Sequence, residues 1–125
     1  MPAVLLVSCS HGTTEKLPDI SQSNNVKLYY KMDFDSTGRQ KIKTLNINDP
    51  ESVSELKSII NYDPFSYLYC VSTGSMSFYK DDELIITMVF NTDPAQTHIA
   101  CNYEGKLVAI KLSEENARLL ESFKN

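Results

Sequence analysis

The chain of 125 residues has no tryptophan, two histidines, three cysteines and four isolated glycines. Each shortage removes a class of chemistry. A zinc site needs three or four His, Cys or carboxylate ligands in close array, and neither a CxxC nor an HxxxH spacing occurs. With the glycines scattered, no Gly-rich loop is available to wrap a phosphate. His11 stands in a Ser/Thr/Gly-rich stretch, which leaves His98 as the imidazole expected within folded structure. His98 and Cys101 are three residues apart, and on an extended strand that spacing sends them to opposite faces, away from any nucleophile–base contact. Two carboxylates alone can perform acid–base work, but Asp81-Asp82-Glu83 reads as a solvated hairpin tip. An excess of positive charge is missing too. Twelve Lys and Arg against 16 Asp and Glu give a net charge of −4, which argues against wholesale nucleic-acid binding. No cofactor or metal is expected.

What is present is the composition of a single globular domain. A 42% hydrophobic, 22% charged chain is too apolar for wholesale disorder and too polar to be embedded in a membrane. From Val26 the pattern becomes regular. Val26, Leu28, Tyr30, Met32 and Phe34 alternate with polar residues, which predicts a half-buried strand. Asp35 to Arg39 is turn chemistry around Gly38, and a second strand follows over 40–47, its apolar phase slipping between Ile42 and Leu45 as at a bulge or sheet edge. Asp49 and Pro50 open a helix whose apolar stripe is Val53, Leu56, Ile59 and Ile60. Strands are then expected over 65–72, 75–80, 83–90, 97–103 and 106–112, with Thr73-Gly74, Asp81-Asp82 and Glu104-Gly105 as tight connections. The apolar run Leu84–Phe90 reads as a central strand covered on both sides. Ser113 caps a last helix bearing Ala117, Leu120 and Phe123. The fold class is therefore α+β, a curved and mainly antiparallel sheet of about seven strands with two helices, in the order ββ-α-βββββ-α. Residues 26–125 form this domain.

The N-terminal segment reads differently. Pro2 to Val7 is apolar and is followed by Ser8 and Cys9, then by a polar stretch to Asn25. Leu6-Val7-Ser8-Cys9 resembles the lipobox of bacterial lipoproteins. The resemblance implies cleavage before Cys9, lipid on its sulfur, and a periplasmic or cell-surface location with residues 1–25 serving as truncated leader and polar tether. Acyl chains anchor a small domain because each buried methylene contributes about 0.8 kcal/mol. Six apolar residues and no Lys or Arg precede Ser8, so further leader residues are expected upstream of Met1. The alternative is an intracellular, cytoplasmic module in which Ala3–Val7 is a buried strand.

If Cys9 carries lipid, Cys70 and Cys101 remain as an even pair, and export would favour a disulfide between them. Closing their 31-residue separation would add roughly 3–4 kcal/mol, provided the sheet folds over to bring them together. Two free buried thiols are the other reading. Charge is uneven. Residues 26–47 carry Lys27, Lys31, Arg39, Lys41 and Lys43 against Asp33 and Asp35, whereas residues 48–125 carry six basic and twelve acidic side chains. Such a basic hairpin can steer an acidic partner or lie on anionic lipid; equally, outward lysines guard a sheet edge. Tyr29, Tyr67, Tyr69 and Tyr79 are placed to share sheet faces, as a recognition surface or as an aromatic ladder under a helix. Together these features predict a non-enzymatic binding or inhibitory domain that contacts another protein. The alternatives are a small hydrolase-like enzyme using carboxylates or His98, and the intracellular module.

Overall fold

A computed structural model describes residues 18–61, 72–94 and 97–125. Chain order is β1 (Asn25–Phe34), β2 (Gln40–Ile47), α1 (Pro50–Ser58), β3 (Gly74–Lys80), β4 (Glu83–Asn91), β5 (His98–Tyr103), β6 (Lys106–Lys111) and α2 (Glu114–Lys124). The strands form one antiparallel sheet in the order β2-β1-β3-β4-β5-β6. The architecture is thus α+β with two helices, and six of the seven expected strands fall among the described residues. The seventh, expected over 65–72, lies outside them apart from Ser72. Ala3–Val7 also lies outside.

Local chemistry accounts for the boundaries. The Asp49 carboxylate accepts from the Ser52 N–H at 3.0 Å and Pro50 starts α1, while the Ser113 hydroxyl accepts from Asn116 N–H at 3.1 Å to start α2. In the β1–β2 turn, Asp35 Oδ1 accepts from the N–H groups of Thr37 and Arg39, and Gly38 takes φ +84°. Asp81 and Asp82 at φ 49° and 70°, and Glu104 and Gly105 at 52° and 79°, are left-handed pairs, the backbone that two-residue hairpins between twisted strands require. Gly74 has another purpose. Read from sequence as a turn residue, it begins β3, where an added Cβ would stand 2.3 Å from the Tyr29 carbonyl oxygen and 2.5 Å from the Phe90 ring.

Both helices cover the same face. Val53, Leu56 and Ile59 near α1, and Ala117 and Leu120 of α2, join the core formed by Val26, Leu28, Tyr30, Met76, Phe78, Met88, Phe90, Ile99 and Ile110. Tyr30 meets Phe90 edge to face at 5.7 Å, and its hydroxyl donates to the Leu120 carbonyl, tying β1 to α2. Ile20 joins this core, and Lys57 Nζ donates to the carbonyls of Ser21 and Ser23, so residues before β1 pack against the sheet and α1.

The phase slip of β2 goes with its place at the sheet edge, first in the strand order. A bulge lies beside it in β1: Lys31 pairs with Ile42 and Phe34 with Gln40, so Met32 and Asp33 together oppose Lys41. That extra residue turns Phe34 away from the core. Strand β4, expected to be covered on both sides, is central in order, but among the described residues Leu84 and Val89 on its second face are exposed. Lys43 is not an outward lysine; it pairs across from Tyr30 on the helix side, and its ammonium donates to the Lys124 carbonyl, favourably placed at the negative end of α2.

Candidate binding face

The strand register defines what the second face of the sheet carries. One row runs Thr44, Tyr29, Ser75, Val89, Ala100, Ala109 across all six strands. A second runs Asn46, Lys27, Ser77, Thr87, with the Ser77 and Thr87 hydroxyls 2.8 Å apart. Tyr79 pairs with Leu84, and Lys31 with Ile42. Since residues directly opposite on paired strands point the same way, all of these share the face that the helices do not cover.

That open face collects the large apolar side chains left in water. Phe34 is 66% exposed, Ile42 54%, Leu84 52% and Val89 39%, and the register places all four on it. They stand on β1, β2 and β4. Over β5 and β6 the same face is buried at His98, Ala100 and Ala109, with Leu107 packed beside the alanines. Isolated exposed apolar residues are ordinary, but several on one sheet face mark a surface that gains by being covered.

Four of the residues singled out from sequence meet there. Lys27 holds its ammonium 4.9 Å from the centre of the Tyr79 ring, Tyr29 lies half-buried on the far side of Lys27, opposite Ser75, and Lys31 donates to the Ser72 hydroxyl at 3.1 Å. Arg39 stands in the β1–β2 turn, and Lys41 and Lys43 belong to the helix side of β2. Cys9, Tyr67, Tyr69 and Cys70 lie outside the described residues. Cys101 is a free thiol on the helix-covered side, buried, with burial pushing its pKa up to about 11. His98 faces the opposite way, as their spacing requires. Ile42, Leu84 and Val89 were not among the expected contact residues; the alternation of β4 with Thr87 at its exposed centre was the available signal.

A cleft of about 940 Å³ opens at the end of the sheet, where Lys31 and Phe34 at the edge of the open face meet Thr92 and the α2 residues Ala117, Arg118 and Glu121. Several of its polar groups are paired. Arg118 pairs with Glu114 at 3.2 Å, Lys124 with Glu121 at 3.7 Å, and Thr92 donates to Glu121 at 2.8 Å. Among the described residues no three His, Cys, Asp or Glu side chains converge as metal ligands, and no helix is long and apolar enough to cross a membrane. Comparison with protein-family models, with curated proteins and with solved structures found no match.

Proposed function

We propose that the chain is a non-enzymatic binding domain that contacts another protein through the open face of its sheet. One observation carries this reading: among the described residues, the four most exposed large apolar side chains, Phe34, Ile42, Leu84 and Val89, lie on the sheet face that neither α1 nor α2 covers. Tyrosine suits such a surface because it offers wide contact at low entropic cost, and Tyr29 and Tyr79 stand among these residues. A photo-crosslinking residue placed at position 89, compared with one at Glu115 on α2, tests the assignment in the source cell. The expected result is a discrete adduct through position 89 and none through 115; adducts through 115 alone would refute it.

The location follows from the lipobox-like Leu6-Val7-Ser8-Cys9. In this reading lipid on Cys9 holds the domain at a periplasmic or cell-surface membrane while the sheet face meets its partner. Incorporation of labelled palmitate, lost in Cys9→Ser, is the expected result. Unlabelled protein in the cytoplasmic fraction would instead favour the intracellular module.

A further inference from the structure

The open face differs in charge from the molecule that carries it. The chain has a net charge of −4, yet outside the bulge at Met32–Asp33 no strand position on this face is Asp or Glu, while Lys27, Lys31 and Lys111 occupy it. The helices hold much of the opposite sign, with Glu51 and Glu55 on α1 and Glu114, Glu115 and Glu121 on α2. Three cations elsewhere are paired with carboxylates, Lys80 with Asp81, Arg118 with Glu114 and Lys124 with Glu121, while Lys43 and Lys57 donate to backbone carbonyls. On the open face, Lys27 rests over the Tyr79 ring and Lys31 donates to the Ser72 hydroxyl, and among the described residues neither ammonium reaches a carboxylate. A ring face and a hydroxyl orient a cation without cancelling its charge.

Resting on the reading of this face as a protein-contacting surface, we propose that its partner presents a carboxylate-rich patch with an apolar centre. Carboxylates would meet Lys27 and Lys31, and apolar groups would cover Ile42 and Val89. Complementary charge raises the rate of encounter and fixes orientation, while burial of the apolar groups slows dissociation. The Tyr79 ring holds Lys27 in place beforehand, which lowers the entropic cost of engaging it. One feature favours an acidic protein over nucleic acid: nucleic-acid-binding surfaces carry denser positive charge than a few lysines in a protein of pI 5.1.

The test is an amide chemical-shift titration of the full chain with a synthetic peptide of eight glutamates and two leucines, with phosphatidylglycerol vesicles as a parallel arm. Saturable shifts are expected at 27–31, 42–44 and 75–79, weakened roughly fivefold to tenfold in Lys27→Gln/Lys31→Gln and unchanged in Glu51→Gln. Absent shifts, shifts centred on the helices, or equal affinity in the double variant overturn the proposal. Saturable binding to vesicles without response to the peptide overturns it in favour of lipid. The underlying reading is separable by crosslinking through position 89. An adduct that persists in Lys27→Gln/Lys31→Gln at about 0.5 M salt, where surface charges are screened, sinks the acidic partner and leaves the open face as contact surface. Loss of any adduct through position 89 sinks both.

Discussion

Val89 and Phe90 are consecutive, both apolar and both in β4, yet Phe90 is fully buried and Val89 is 39% exposed. The contrast repeats across the sheet. On one side α1 and α2 close over Leu28, Phe78 and Met88; on the other, Ile42, Leu84 and Val89 remain in water beside lysines and tyrosines. The two faces share a backbone and a register, and differ in the side chains they carry and in what covers them. The helix side satisfies its apolar surface within the chain. The open side leaves part of its own unsatisfied, and we connect that difference with binding.

The sharpest way to break this comparison is to truncate the same strand on each side. Phe90→Ala should lower unfolding free energy by about 3–5 kcal/mol through a cavity under both helices. Val89→Ser should stay within about 1 kcal/mol. Urea unfolding of both variants decides, and equal costs would mean that the open face is covered as fully as the other.

Gly74→Ala comes next. Its methyl would collide with the Tyr29 carbonyl and the Phe90 ring, with an expected cost of roughly 1–3 kcal/mol or more in the same measurement. Tyr30→Phe is expected to be somewhat milder, about 1–2 kcal/mol, because it removes the hydroxyl that satisfies the buried Leu120 carbonyl. Burial also raises the tyrosine's own pKa, so this hydroxyl remains a donor throughout the neutral range.

The smallest effect concerns Cys101. Its thiol pKa is raised by burial from 9.0 to about 11, so the folded chain holds this proton more tightly than the unfolded one. The corresponding stability is complete below pH 9 and is lost as pH climbs towards 11. In a Cys9→Ser/Cys70→Ser variant, labelling by a thiol reagent at pH 8 should be slow until denaturant is added. Rapid labelling of the native chain would contradict the burial of Cys101 on the helix side.

Local signals in the chain were enough to read most of the scaffold. Asp49-Pro50 and Ser113 announced the helix starts, and Asp81-Asp82 and Glu104-Gly105 announced two hairpins, because caps and tight turns depend on a few adjacent residues. Cross-strand facts were harder. The bulge that turns Phe34 outward is a property of pairing with β2, and the helix-side position of Lys43 depends on where α2 ends. Period-two alternation says which residues share a face but not which face is covered, so Leu84–Phe90 read as buried throughout. Alternation singled out Lys27, Tyr29 and Tyr79 one by one, but their meeting depends on the β1–β3 pairing of strands distant in the chain. The exposed apolar members of the face were not.

The most direct test of the account is the affinity of Val89→Arg for the protein crosslinked through position 89, measured beside its urea midpoint. Contact through the open face requires at least a tenfold loss of binding, about 1.4 kcal/mol, with the midpoint unchanged. Undiminished binding, or a loss that merely tracks unfolding, would contradict the assignment of the open face as the contact surface.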